Sequence, residues 1–228
     1  MAIGFVRTSK NGIGSAGSSI SVTMTSPAAG NTLIIGVLLF NFPSTGTYTV
    51  TTGGGTGSDT GTQIYSNSTT LLGSPQQWTI WAIAPVGASR TSVVVTLSGN
   101  CNSGSVFVWE VSGLSLPTVD QSAIANNQSG SNVNVGPTGT LAASNEFCLY
   151  MMGGNLNSGN APSPWVSDST VSATGDAGSH QVVTANTAIS VSGGSKGTST
   201  SWGAMIASVM IGTAGPPPSS MLPFMGVG

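Results

Sequence analysis

The chain has 228 residues, with four Lys or Arg, six Asp or Glu and a formal net charge of −2. Charged residues make up 4% of it, against about 25% in ordinary soluble domains. Cations so few and so scattered exclude a phosphate-binding surface, because nucleic-acid recognition needs clustered Lys or Arg. Hydrophobic residues make up 39% of the chain, which excludes an intrinsically disordered protein.

The predicted elements in chain order are strands. Residues 3–8 form a short first strand, and the Gly-rich residues 10–17 are expected to turn. Residues 18–24 alternate, with Ile20, Val22 and Met24 on one face, which predicts a half-buried strand. The longest apolar run, TLIIGVLLF at 32–40, is too short for a membrane span of about 20 residues. Turn residues bound it, so we predict a strand buried on both faces in the middle of a sheet.

The remaining strands are short and separated by Gly, Ser, Asn or Pro. In the first half they fall at residues 48–51, 63–66, 78–84, 92–97 and 106–111, with loops at 67–75 and 100–104. In the second half they fall at 119–125, 133–135, 145–152 and 202–211, with a poor strand starting at 165–166 and a hairpin pairing 180–184 with 188–191. No helix and no repeat of about 20–50 residues is visible. About eleven or twelve such strands predict an all-β, antiparallel, jelly-roll-like β-sandwich.

Five sequence blocks carry a resemblance to a known type of module. They are AAGNTLIIGVLLF, WTIWAIAPVGA, SVVVTLSG, FVWEVSGL with VDQSA after it, and SNEFCLYMMGG. In this order they resemble a jelly-roll-like β-sandwich module of tailed-phage structural proteins and bacterial surface proteins, over residues 3–211. Such modules often carry an Asp-x-x-Gly-Asn-x-Tyr-like stretch, which SDTGTQIY at 58–65 matches loosely. The resemblance implies binding, decoration or adhesion, and it implies no reaction.

The residues that carry catalysis elsewhere are few and dispersed. His180 is the only histidine, so a zinc site of the usual kind cannot form within one chain, and no Gly-x-Ser-x-Gly elbow presents a serine to it. We expect His180 to be solvated or at a strand edge, and Glu110 and Glu146 to hold strand-end or surface positions rather than a glycosidase pair.

Three acids, Asp59, Asp168 and Asp176, lie in Gly/Ser-rich stretches without a recognised calcium spacing. The sequence therefore predicts no catalytic residue, no cofactor and no metal.

The sequence leaves open whether the two cysteines pair and whether a tryptophan contacts a ligand. Cys101 is expected in a loop and Cys148 on a strand; two free thiols are favoured over a disulfide, in line with folding in a reducing cytoplasm. Four of the five tryptophans lie in predicted strands, where packing is the usual role. Trp165 follows Pro162 and Pro164 in a loop, and it is the candidate ligand contact.

The last sixteen residues, TAGPPPSSMLPFMGVG, read as an arm (213–228) that follows a sandwich domain (1–212). Successive prolines favour an extended conformation, and the apolar cluster behind them predicts anchoring on a neighbouring subunit. The predicted partner-contact residues are Pro216, Pro217, Pro218, Met221, Leu222, Pro223, Phe224 and Met225.

These features together favour a structural role. The expected function is a virion structural protein of a tailed phage, a capsid decoration (cement) protein or else a tail or fibre component. Expected partners are copies of itself, as a homotrimer, and a major capsid protein or tail protein, with no nucleic acid and no membrane. Because the N-terminal sequence has no apolar signal-peptide region, assembly in the host cytoplasm into a virion is expected. The alternative is an extracellular carbohydrate-binding or adhesin module of a secreted bacterial protein, with a glycan as ligand.

Overall fold

The computed structural model describes residues 2–43, 45–71, 73–154, 159–196 and 201–212, and every regular element within them is a β-strand. Strands β1–β8 form the first half of the molecule. They are β1 Gly4–Ile13, β2 Gly17–Thr23, β3 Thr32–Phe40, β4 Tyr48–Gly53, β5 Thr62–Leu71, β6 Ser74–Ile83, β7 Ser92–Cys101 and β8 Ser103–Ser112. They build a large sheet of order β1-β8-β3-β6-β5 and a small sheet of order β2-β7-β4.

Strands β9–β16 form the second half. They are β9 Pro117–Gln128, β10 Asn132–Val135, β11 Glu146–Gly154, β12 Gly159–Asn160, β13 Val166–Thr170, β14 Ala177–Val183, β15 Val191–Lys196 and β16 Trp202–Ile211. Their large sheet has the order β13-β14-β11-β16-β9 and their small sheet the order β10-β15-β12. All strand pairs in both halves are antiparallel.

The two halves share one topology. If β9–β16 are counted as one to eight, both of their sheets have the strand order of the sheets made by β1–β8. Each half is therefore an eight-stranded jelly-roll-like sandwich. The repeat is longer than the 20–50 residues of common repeat proteins. The two sequences share the pattern of the turn before the central strand, AAGN at 28–31 and AASN at 142–145.

The sheets stack in four layers around three apolar clusters. One cluster fills the first half, between its small and large sheets, and another fills the second half in the same way. The third, called the central cluster here, lies between the two large sheets and includes Trp78, Phe107, Trp109, Phe147 and Met205. Each large sheet is thus covered on both faces.

This layering explains the uninterrupted apolar run of β3. Ile34 and Leu38 belong to the central cluster, whereas Ile35 and Val37 belong to the cluster of the first half. A strand with two buried faces has no solvated side on which polar residues would alternate. The prediction for residues 32–40 is confirmed: β3 lies between β8 and β6 in the middle of its sheet.

Glycines let the two large sheets approach each other closely. A Cβ atom built on Gly36 of β3 would collide with the sulfur of Met151 on β11 and would lie 3.0 Å from the Trp109 ring. A Cβ on Gly178 of β14 would lie 2.6 Å from the Phe107 ring. A glycine inside a strand often marks such an approach.

Several predicted boundaries and one predicted pairing are wrong. Residues 10–13 continue β1 instead of turning, and the expected loop at 67–75 is mostly the hairpin of β5 and β6. The predicted hairpin at 180–191 does not form, because β14 pairs with β11 and β13 while β15 joins the small sheet. In polar strands rich in Ser, Thr, Asn and Gly, pairing depends on tertiary contacts that local pattern does not report.

The predicted arm at 213–228, with its eight partner-contact residues, lies outside the described residues. The boundary at residue 212 therefore stays a prediction. Among the described residues, none forms a helix of the length and apolarity needed to cross a membrane.

Candidate binding cleft between the two halves

A cleft of about 330 Å³ opens where the two large sheets meet at one end. The first half contributes Phe40 and Asn41 from the end of β3, Gln76 from β6 and Asn102 from the turn between β7 and β8. The second half contributes Asp176, which directly precedes β14. The site exists only because the halves are packed together.

Backbone pairing sets the positions of the first-half residues. Phe40 lies opposite Gln76 in the β3–β6 ladder. Asn41 directly follows β3 and has a positive φ of 51°, a conformation that asparagine tolerates better than most residues. Its N–H donates to the Pro75 carbonyl at 2.7 Å. The N–H of Asn102 donates to the Phe40 carbonyl at 3.1 Å. The rim is therefore tied to strand ends rather than to a free loop.

Gln76 is the unusual residue of the cleft. It is only 1% exposed, yet neither its amide nitrogen nor its amide oxygen has a hydrogen-bond partner. Buried polar side chains are nearly always paired, and each exception calls for an explanation such as an unseen water, ion or ligand. The sequence contains no signal for this role, because a glutamine beside an apolar strand has many ordinary uses.

Asp176 is the cleft's other buried polar group. It is fully buried, and one carboxylate oxygen accepts a hydrogen bond from the Ser105 hydroxyl at 2.5 Å. The other oxygen has no partner in normal geometry. Burial raises the pKa of Asp176 to about 7, although hydrogen bonds from Ser105, Thr174 and the Gly154 backbone act to lower it. At neutral pH the group is thus divided between its acid and its carboxylate.

A second polar cluster links strands β1 and β8 of the first half to strands β13 and β14 of the second half, along one edge of the two large sheets. The Nδ1 atom of His180 lies 2.8 Å from one Asp168 oxygen, and the Trp109 N–H donates to the other oxygen at 2.7 Å. The Lys10 ammonium donates to the Asp168 backbone carbonyl at 2.6 Å. The His180 ring stacks on Phe5 with ring centroids 3.6 Å apart. Trp109, Lys10 and Phe5 belong to the first half, so this cluster ties the two sandwiches together.

The expectation that His180 is solvated or at a strand edge is therefore wrong. It is 4% exposed, and its strand β14 lies between β13 and β11. The error arose because the partners that bury His180 come from the other half of the chain, over a separation that local sequence cannot show.

Two further acids hold the matching turns that precede the central strands. Glu110 accepts the Ala28 N–H at 2.9 Å and pairs with Arg7 at 2.5 Å. Glu146 accepts the Ala143 N–H at 2.9 Å. Glu110 is 2% exposed and Glu146 is fully buried, so a surface position is wrong for both, while their place at the turns fits a strand-end role. Burial raises the pKa of Glu146.

The acids considered for calcium lie in separate networks. Asp59 forms a two-point ion pair with Arg90, at 2.9 and 3.0 Å, whereas Asp168 and Asp176 are bonded as described above. Within the described part of the chain, no group of three or more His, Cys, Asp or Glu side chains is placed to hold a metal ion.

The cysteines and tryptophans are all internal. Cys101 ends β7 rather than lying in a loop, and both it and Cys148 are free and buried in different clusters. All five tryptophans are buried, so the predicted packing role of the four strand residues is confirmed. Trp165 is 5% exposed and donates its N–H to the Ser190 carbonyl at 3.0 Å. Its ring packs in the cluster of the second half, and its role as a ligand contact stays a prediction.

No family model, curated protein or solved structure matches the chain. What the molecule defines by itself is an all-β class: two antiparallel jelly-roll-like sandwiches in tandem, with a polar cleft at their junction.

Proposed function

We propose that the chain is a structural protein of a tailed-phage particle, a capsid decoration protein or a tail or fibre component. The observation that carries this proposal is how little charge is exposed. Nine of the ten charged residues have a described exposure, and none of the nine is more than partly exposed. Five of them are buried: Arg90, Glu110, Glu146, Asp168 and Asp176.

Most of these charged side chains interact with other groups of the same chain. Arg90 with Asp59, Arg7 with Glu110 and His180 with Asp168 form pairs. Ser, Thr, Asn, Gly and Ala make up most of the exposed positions, beside a few apolar side chains such as Val6 and Leu116. Net charge and mixed surface charge keep free monomers apart, so a subunit without them is suited to a surface that other subunits cover.

The edge strands support the same function. Strand β5 is an edge of the first large sheet, ten residues long, and its sequence TQIYSNSTTL contains no charge. Monomeric proteins commonly protect such edges with lysine, proline or a bulge near the edge. β5 has one register irregularity, between Gln63 and Tyr65, and otherwise pairs regularly with β6 up to Leu71. An edge of this kind suits pairing with another chain.

The mechanism is adhesive rather than catalytic. Uncharged edges and faces bury surface against copies of the chain, as a homotrimer, and against a capsid or tail partner. The arm at 213–228 adds an apolar anchor through the residues named above. Burying a large apolar side chain contributes roughly 1.5–3 kcal/mol, while ordering each backbone residue costs about 1–2 kcal/mol. The net stabilisation from each arm is therefore small, and it becomes appreciable when many copies in one particle contribute.

Sedimentation velocity at micromolar concentration tests the proposal. A discrete homo-oligomer, expected to be a trimer, supports it, and a stable soluble monomer contradicts it. The chain truncated after residue 212 is the matched sample for the arm. It is expected to keep the far-UV circular dichroism of the full chain and to assemble less well; equal assembly would rule out the anchoring arm.

A further inference from the structure

We propose that the cleft between the two halves binds a neutral, hydroxyl-rich small ligand, a single sugar residue, free or at the end of a glycan. Its recognition groups are the side-chain amides of Gln76, Asn41 and Asn102, with Phe40 as an apolar wall. The site does not depend on whether the chain is mounted on a particle. Sugar binding in this cleft is also what the alternative function, a carbohydrate-binding module, requires.

The first argument is the unmet hydrogen-bonding capacity of Gln76. Gln76 lines the cleft and is almost completely buried, and neither its amide nitrogen nor its amide oxygen has a hydrogen-bond partner. Leaving such groups unpaired is unfavourable. A carboxamide offers two donors beside one acceptor, which matches a pair of neighbouring hydroxyls that each donate and accept. One Asp176 oxygen, also without a partner in normal geometry, adds a further acceptor.

The second argument is the charge of the lining. Asp176 is its only ionisable side chain, and no Lys, Arg or His lines the cleft among the residues that the structure describes there. A phosphate, sulfate or carboxylate ligand would meet no cation and would face this carboxyl. A divalent cation would find a single carboxylate, which Ser105 already engages. The lining therefore favours an uncharged ligand.

The third argument is shape. A volume of about 330 Å³ falls at the lower end of the range for small-molecule sites. Asn41 and Asn102 are exposed at the mouth, whereas Gln76 and Asp176 lie at the buried end and Phe40 is half-buried between them. An aromatic wall beside fixed amides gives a ring-shaped ligand an apolar face and polar edges to contact.

Protein-observed NMR tests the site with D-glucose, D-galactose, D-mannose and N-acetyl-D-glucosamine added separately to the full chain. At least one sugar is expected to bind with a Kd on the order of 1–10 mM and to shift the side-chain amide resonances of Gln76, Asn41 and Asn102. If none of the four shifts them at about 100 mM, roughly tenfold or more above that Kd, the cleft holds only water and the proposal is wrong.

Two variants locate the binding. Gln76→Leu removes the buried amide at nearly constant volume, and Asn41→Gly removes an exposed amide while suiting the positive φ. Each is expected to weaken the binding about tenfold or more, while the matched control Gln181→Leu, on β14 outside the cleft, leaves it unchanged. Asn41→Gly keeps the test valid if Gln76→Leu fails to fold. Full binding in every folded cleft variant would overturn the proposal, whatever the oligomeric state proves to be.

Discussion

Asp176 shows how one buried residue couples this fold to pH. Its pKa is about 3.8 in the unfolded chain and about 7 in the folded protein, where burial disfavours the carboxylate. Between these values the folded state binds more protons than the unfolded state, so the stability falls as pH rises from about 4 to about 7. Asp176 thus works against folding at neutral and alkaline pH.

Replacing Asp176 with asparagine is expected to flatten this dependence. Asp176→Asn should be more stable than the wild type at pH 8 by a few kcal/mol, since each pK unit corresponds to about 1.4 kcal/mol, and nearly equal to it at pH 4. Urea unfolding at both pH values measures the difference. Because burial also raises the pKa of Glu146, part of the slope should remain, and Glu146→Gln identifies that part. An unchanged pH slope in Asp176→Asn would contradict the assignment.

Arg90, in contrast to Asp176, is a charged residue that stabilises the fold by holding a loop. Its guanidinium pairs with both Asp59 oxygens and donates to the carbonyls of Gly54 and Thr56 at 3.2 Å. This pairing lowers the pKa of Asp59 to about 2. The stabilisation is therefore present above the unfolded pKa near 3.8 and is lost as pH falls through about 2.

Arg90→Met is expected to lower the urea midpoint at pH 7, because it removes the guanidinium that donates to the Asp59 carboxylate and to two carbonyls. Arg90→Lys keeps the charge but lacks the planar fork, so it should recover only part of the loss. Denaturant titrations at pH 7 and pH 2.5 compare the three proteins. A lysine variant as stable as the wild type would show that charge alone holds the loop.

At the scale of the element, β3 depends on a glycine in its middle. Gly36→Ala places a Cβ against Met151 and Trp109 in the tightly packed centre of the molecule, and overpacking of this kind costs about 1–3 kcal/mol. The matched control is Gly99→Ala in β7, where an added Cβ meets nothing within 4 Å. We expect urea midpoints to fall for Gly36→Ala and to stay level or rise for Gly99→Ala. Equal midpoints would mean that the large sheets lie further apart.

At the scale of the whole molecule, the central cluster joins two sandwiches that each have their own core. Separated halves, 1–115 and 116–228, would expose its apolar side chains, including Trp78, Phe107 and Trp109 from the first half. Exposed apolar patches of that kind promote association. We expect each half expressed alone to aggregate and the two co-expressed halves to purify as a one-to-one complex. A half that is monomeric and well dispersed by NMR would show that the central cluster is dispensable for folding.

The strand class and the central strands could be predicted from the sequence alone. Alternation placed Ile20 and Val22 on the buried face of β2, with the buried Met24 just after its end, and the unbroken run at 32–40 predicted a strand covered on both sides. These features depend on local periodicity and turn residues, which act within a few positions of one another. Free cysteines and packed strand tryptophans were predictable for a similar reason, from residue type and strand context.

The contacts between the two halves of the chain could be found only in the tertiary structure. The environments of His180 and Asp168 depend on Phe5, Lys10 and Trp109, which lie in the other half of the chain, from 71 to 175 residues before His180. The cleft at Gln76 likewise exists only where the two sandwiches meet. Contacts between residues so far apart in the sequence depend on which sheet faces stack on each other. The stacking buries apolar surface regardless of chain position, so it leaves no periodic residue pattern in the sequence.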